Sequence, residues 1–326
     1  MRSAGIADPR IVVVDAGGTH VRFAIATIVA GGRPVLGAVH RYRAADHAGL
    51  ASAWGRFAAD IREKLPDAAS IAVAAPLGEA VLRFVNSDWT IDTRTLQADL
   101  GVGKSHILND FGAMAYGVSS LRPEELVHIH GPAEATADQG VISVIGPGTG
   151  LGVAMLVRRG TGLQVIETEG AHIAFAPLDA RERVIAEHLA SRFGRVSVER
   201  VASGPGLADI ASAISSKTSD IDDIAAKLWE SAIQGRDPVA VQALDHFIAI
   251  LGSAVGDLAL AHGSNAVVLT GGIVNRTIDR LRSPLFVDRF RAKGRYTERM
   301  SRIPIKVATN LDTGLLGAAV AFTRAG

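Results

Sequence analysis

Three short glycine-rich turns have the composition of anion cradles. Asp15-Ala16-Gly17-Gly18-Thr19 lies between two β-branched runs, Gly148-Thr149-Gly150 lies between two more, and Gly271-Gly272-Ile273 follows another apolar run. Where no Cβ stands in the way, consecutive backbone N–H groups can turn toward a phosphate. One such turn is ordinary; two matched ones plus a Gly-Gly pair point to a nucleotide. A carboxylate sits in Leu108-Asn109-Asp110-Phe111, where a strand pattern gives way to a helical one. Asp110 is there either a helix cap or, at the carboxyl end of a strand, a group placed for chemistry. Taken singly, His172 reads as a structural histidine, Glu199 as a solvated charge and Asn86 as a turn residue.

Two familiar nucleotide motifs fail on context. A dinucleotide-binding G-x-G-x-x-G turn runs from a strand into a helix. Here Gly148-Thr149-Gly150 is followed by Val153 in the third glycine position and by a strand pattern. Ala98–Ser105 has relaxed P-loop spacing with Ala in the first glycine position, but a helical stretch precedes it and a strand follows, the reverse of what a P-loop needs. Lys104 therefore reads as a surface loop lysine.

The elements that must position these residues alternate. Strands are predicted at Ile11–Val14, Val21–Ile28, Ser70–Ala75, Val81–Val85, His106–Asn109, Val141–Ile145, Gly152–Arg158, Ala266–Leu269 and Ile305–Ala308. Helices are predicted at His47–Leu65 with Asp46 as its cap, Thr93–Leu100, Asp110–Val118, Leu178–Phe193, Ile221–Gln234, Pro238–His262 and Gly314–Arg324. The pattern is α/β. Residues 11–28 and 141–160 share a plan of β-branched run, Gly/Thr turn and apolar strand, which reads as two similar domains with a boundary near Val118–Glu124.

Composition narrows the classes. The chain has 326 residues, and 34 Lys+Arg against 33 Asp+Glu leave a net charge of +1, so no basic face for nucleic acid is expected. Hydrophobic content of 48% supplies a large core. With 0 Cys there is no disulfide, thiolate zinc site or cysteine nucleophile, which suits a cytoplasmic protein. Residues 1–10 do not form a signal peptide, and the apolar stretches near Ala254–Ala261 and Ala266–Thr270 read as too short for a membrane span. His128 and His130 read as surface residues, and the Arg-rich stretch Arg280–Arg299, with acids interspersed, as a solvated face.

Asp15-Ala-Gly-Gly-Thr19, Leu108-Asn-Asp-Phe111, Gly146-Pro-Gly-Thr-Gly150-Leu-Gly152, Glu169-Gly-Ala-His172, Glu199-Arg-Val-Ala-Ser-Gly-Pro-Gly206 and Leu269-Thr-Gly-Gly-Ile273 together resemble the bacterial glucokinase family, in the same order from about residue 11 to Gly317. The hairpins alone resemble the wider hexokinase, actin and heat-shock ATPase fold; the Asn-Asp-Phe, Glu-Gly-x-His and Glu-Arg-Val-x-Ser-Gly-Pro-Gly set is specific to the glucokinase branch. The related sugar-kinase and repressor group carries a cysteine-rich zinc motif, which 0 Cys excludes.

The resemblance implies two domains of the ribonuclease H-like, actin-like ATPase fold, with residues 1–120 plus 312–326 forming the smaller and 121–311 the larger. It implies a sugar bound in an interdomain cleft that closes against water. It implies phosphorylation of glucose at its 6-hydroxyl by ATP, with Asp110 as general base. Asn86, Asn109, Glu169, His172 and Glu199 would join Asp110 around the sugar. Asp15, Ala16, Gly17, Gly18, Thr19, Gly148 and Thr149 would line the ATP phosphates, Gly271 and Gly272 the adenosine, and Asp15 would hold Mg²⁺ through water. A homodimer, with no nucleic-acid or membrane partner, is the family expectation. His20 and Ala171 depart from the family pattern, which has Asn and Gly there. Rival readings are a kinase for another hexose, a sugar sensor and an actin-like ATPase; the ten residues before the first strand leave no DNA-binding module for the sensor.

Overall fold

The β-branched run around Val12 forms strand β1 (Arg10–Ala16) in the computed structural model. The structure describes residues 9–84, 87–133, 139–215 and 225–324. Asn86, Val85, residues 221–224 of the expected helix and most of the segment read for a signal peptide lie outside these. Two compact units divide the chain: Met1–Leu121 with Asp312–Gly326, and Arg122–Leu311.

In the first unit β1 pairs antiparallel with β2 (His20–Thr27), whose other edge carries β3 (Val35–Leu36) and β4 (His40–Arg43). On its opposite side β1 is parallel to β5 (Ala68–Val73). A small hairpin, β6 (Val81–Arg83) and β7 (Thr90–Asp92), follows, and β8 (Lys104–Asn109) completes the sheet in parallel with β5. Helices α1 (Leu50–Asp60), α2 (Leu96–Leu100), α3 (Asp110–Val118) and a C-terminal helix (Thr313–Phe322) accompany it. Side chains alternate across a strand, and both faces of β1 are covered. Val12 and Val14 share a core with Trp54 and Phe57, whereas Ile11 and Val13 pack with Leu315 and Ala318 of the C-terminal helix. A fully buried side chain such as Phe57 contributes about 1.5–3 kcal/mol.

The helix expected over His47–Leu65 is shorter. Asp46 is no cap: it closes a 3₁₀ turn, Ala44–Asp46, and α1 begins after Gly49. The Ala44 N–H is already bonded to Thr19 O at 2.9 Å, which ties this turn to the β1–β2 hairpin rather than to the helix. Lys104 is exposed but not in a loop; it opens β8 and its Nζ lies 4.9 Å from the Phe322 ring centroid.

The second unit repeats the plan. β10 (Gly140–Pro147) and β11 (Leu151–Arg159) form the hairpin and β12 (Gly162–Thr168) extends it; β10 is parallel to β13 (Ala266–Leu269), and β13 to β14 (Ile305–Ala308). An outer strand, β9 (Leu126–His130), runs antiparallel to β14. His128 and His130 are therefore half-buried strand residues and not surface ones: His128 Nε2 lies 2.9 Å from Gly131 O, and the His130 ring meets Phe290 edge-on. Helices α4 (Ala180–Phe193), α5 (Val198–Val201), α6 (Gly204–Ser215), α7 (Ala225–Ile233), α8 (Pro238–Ala261), α9 (Gly272–Arg276), α10 (Ile278–Leu281), α11 (Pro284–Arg291) and α12 (Thr297–Ser301) complete the unit.

Asp237 caps α8 by accepting from Val239 N and Ala240 N, with Pro238 in the first turn where its missing N–H costs nothing. By length and composition α8 can cross a membrane, contrary to the sequence expectation, because Asp245 and Asp257 interrupt its apolar run without making the average polar. Its most apolar window is 67% buried inside this unit, so it serves as the core helix. The Arg-rich stretch is less solvated than its composition suggests: Arg289 reaches Asp179 and the buried Glu182, and the buried Lys293 pairs with Asp257 at 2.8 Å.

Candidate functional site

In the first unit the register places two expected site segments at one end of the sheet. Ala16 pairs with Val73, and Val73 with Asn109, so the last residues of β1, β5 and β8 form one rung. Asp15 and Asp110 thus stand at the carboxyl ends of strands about 10 Å apart across the sheet, at roughly 4.8 Å per strand.

The first glycine turn is closed by Gly17 N–H donating to His20 O at 3.0 Å, with Thr19 and His20 exposed at its tip. Asp15 lies across the hairpin from Arg22. Arg22 Nη2 is 2.6 Å from Asp15 Oδ2, and its Nη1 is 3.8 Å from Asp312 Oδ1. Sequence reading missed Arg22 and Asp312; counting the register back from the turn is the signal that finds Arg22. Beside Asp15, a Cβ on Gly314 would stand 3.2 Å from Oδ2, so glycine keeps the carboxylate's flank open. A carboxylate oxygen is the donor type a hard cation takes, so Asp15 fits the Mg²⁺ role by its chemistry, although Arg22 holds its Oδ2 in this structure.

The start of α3 assigns the cap to Asn109, not to Asp110. Asn109 Oδ1 accepts Phe111 N–H at 2.9 Å and Gly112 N–H at 3.2 Å, and Asp110 Oδ1 accepts the same Phe111 N–H at 2.8 Å. Asp110 is the first helical residue and half-buried. The positive end of the helix dipole suits a carboxylate at that position.

In the second unit the glycine turns and the acid–histidine set gather around the β10–β11 hairpin. Gly148 N–H donates to Gly150 O at 2.7 Å, and Gly148 O accepts Gly204 N–H at 2.7 Å. Leu151 N–H donates to Glu199 Oε2 at 2.9 Å, and a Cβ on Gly150 would lie 2.5 Å from that oxygen, so only glycine admits the carboxylate here. His172 Nε2 is 3.8 Å from Glu169 Oε2 and 3.9 Å from Glu199 Oε1, beyond hydrogen-bond range. The segments are zipped together: Ala174 bridges Ser197, Val198 N–H donates to Ile173 O, and Arg195 Nη2 holds His172 O at 2.7 Å. Ala171 sits in a 3₁₀ turn and is 2% exposed, so the extra methyl relative to glycine fills core.

The third turn adjoins the hairpin. Gly271 has φ +101°, which favours glycine, and a Cβ there would meet Pro147 O at 3.3 Å. Asn275 Nδ2 donates to Gly271 O and Ala308 O and fixes the turn on β14. Trp229 and Arg276, which adjoin the turns through Gly204 and Gly272, were not legible in the sequence. Trp229 Nε1 donates to Gly204 O at 3.0 Å, and the Arg276 guanidinium lies 5.8 Å from the Trp229 ring centroid. Thr149 and Gly272 are exposed beside these groups. Among the described residues, no cluster of His, Asp and Glu has the makings of a closed metal site.

A family model described as Glucokinase matches residues 12–325. A glucokinase of Zymomonas mobilis is 46% identical over 316 residues, covering 96% of this chain and 97% of the relative. A Caulobacter glucokinase is 40% identical over 315 residues, covering 96% and 94%. Among solved structures, glucokinase from an Antarctic psychrotroph matches with a TM-score of 0.80 at 31% identity, over 97% of this chain and 99% of that one. Glucokinase from Balamuthia mandrillaris in complex with glucose has the same fold, with a TM-score of 0.78 at 22% identity over 99% and 95% of the two chains. The chain belongs to the glucokinase family.

Proposed function

We propose that this chain transfers the γ-phosphoryl group of ATP to the 6-hydroxyl of glucose. Its kinship with a glucokinase at 46% identity over 316 residues carries the proposal. Asp110 accepts the 6-hydroxyl proton while O6 forms its bond to Pγ and the bond from Pγ to the bridging oxygen of ADP breaks. Phosphoryl transfer of this kind is won by positioning and charge placement. Asp110 is suited to it because Phe111 N–H fixes one carboxylate oxygen. Asn109 Oδ1 is occupied by the helix cap, so its sugar contact comes from the amide nitrogen.

Glu169, His172 and Glu199 supply acceptors and an imidazole for sugar hydroxyls, which both donate and accept. Asn86 belongs to the same proposed set. Ala16, Gly17, Gly18, Thr19, Gly148 and Thr149 line the phosphates, with the Gly17 and Gly148 N–H groups holding the two turns in shape by donating to His20 O and Gly150 O, and Gly271 and Gly272 line the adenosine. Asp15 holds Mg²⁺ through water. That ion would neutralise phosphate charge as it builds on the leaving group. A homodimer in the cytoplasm, with no nucleic-acid or membrane partner, completes the reading.

The test measures hexose phosphate formed over a hexose panel with ATP, ADP and polyphosphate as donors, and ADP released where ATP is the donor. Glucose with ATP is the expected preferred pair. Preference for another hexose would select the rival kinase, and glucose-independent ATP hydrolysis the actin-like ATPase.

A further inference from the structure

Arg22 stands between two carboxylates of the first unit. Its Nη2 is 2.6 Å from Asp15 Oδ2 and its Nη1 is 3.8 Å from Asp312 Oδ1. The Arg22 side chain is 22% exposed and that of Asp15 12%, so this is a partly desolvated group of charges. Asp312 immediately precedes the C-terminal helix, whose Gly314 lies against Asp15 Oδ2. The fork of a guanidinium can serve both acids, and arginine keeps its charge throughout.

Asp15 therefore has a resident cation, and any metal bound through Asp15 competes with it. Displacing Arg22 with no other anion in reach would leave a partly buried charge uncompensated, at a cost that weakens metal uptake. Asp312 removes that cost. We propose that Asp312 is the standby acceptor for Arg22: the guanidinium passes from Asp15 to Asp312 as Asp15 takes up a hydrated divalent cation. The inference rests on the metal role proposed for Asp15. It makes Asp312 a positioning residue that acts on nucleotide binding through Arg22.

The experiment measures binding of the non-hydrolysable analogue AMP-PNP as a function of Mg²⁺, by isothermal titration calorimetry and by the rise in melting temperature. Asp312→Asn keeps the side-chain shape, and Asp312→Ser gives a second neutral variant with a capping hydroxyl. Both are expected to raise the Mg²⁺ concentration for half-maximal binding about fivefold, the effect of one partly exposed ion pair. Glu63→Gln, which breaks the exposed Arg10–Glu63 pair in the same unit, is expected to change nothing. In an Arg22→Gln background the Asp312→Asn substitution should add no further change.

Wild-type Mg²⁺ dependence in both Asp312 variants would overturn the handover. So would a loss that persists in the Arg22→Gln background, since Asp312 would then act on the cation through space. If AMP-PNP binding to the wild-type protein did not depend on Mg²⁺, the metal role of Asp15 would fall and the inference with it.

Discussion

Glu199 Oε2 accepts the Leu151 N–H at 2.9 Å, so the carboxylate next to His172 is held by the first residue of β11. One oxygen is fixed by the hairpin backbone while the other lies 3.9 Å from His172 Nε2. Glu199→Gln keeps the length but puts an amide where two acceptors stood. Glucose affinity should fall about tenfold, the loss of one hydrogen bond to a charged group. ATP affinity should stay unchanged. Calorimetry with each ligand checks this, and an unaltered glucose affinity would remove Glu199 from the sugar set.

Asp110→Asn tests the base. Asn109 supplies the cap of α3, so the helix start survives the change. Loss of a positioned base lowers turnover by about 10²- to 10⁴-fold. Glucose affinity should change by much less. Turnover within a few-fold of wild type would sink the assignment.

How far the sequence could be read depended on how locally each feature is determined. The β1–β2 and β10–β11 hairpins were legible because buried β-branched strands flank glycine turns, and α3 because a polar cap precedes an apolar helix. β12 and β9 were not. The first alternates half-buried and exposed residues at a sheet edge, and the second carries His128 and His130 at alternate positions. The start of α6 was masked by Gly204-Pro205-Gly206, which reads as a turn although proline suits a first helical turn. Arg22 faces Asp15 within the hairpin register, but Asp312 comes to Arg22 only through the fold, and Glu199 meets the Leu151 N–H across 48 residues of sequence. Family resemblance supplied the sugar set; composition and spacing alone would have left its members as ordinary surface groups.

The crossing of α3 with the C-terminal helix gives a stability prediction. A Cβ on Gly317 would lie 1.7 Å from Ala113 O, and one on Gly117 would lie 2.0 Å from Thr313 O, so the helices touch backbone to backbone. Gly317→Ala must push them apart, and overpacking of this kind costs about 1–3 kcal/mol. Because α3 begins with Asp110 and the C-terminal helix begins beside Asp15, turnover should fall as well. Gly55→Ala is the contrast: nothing lies within 4 Å of its Cβ position. It should stabilise α1 by about 0.5–1 kcal/mol. Urea unfolding of both variants decides the matter, and equal effects would contradict the close crossing.

Four histidines set the acid side of stability. Burial pushes His106, His130, His246 and His262 below the ordinary histidine value. In the unfolded chain they titrate near ~6.5. Below that pH the unfolded state binds more protons than the folded one, so stability is full above about pH 7 and declines as the pH falls toward the lowered folded values. The melting temperature should therefore drop between pH 7.5 and 5.5, before carboxylates titrate. His130 offers a specific check, since its buried Nε2 has no hydrogen-bond partner. His130→Leu sacrifices no bond at that atom and removes one proton site, so its melting temperature should depend less steeply on pH than that of the wild-type protein. A slope as steep as wild type would mean that His130 is not among the groups that take up protons on unfolding.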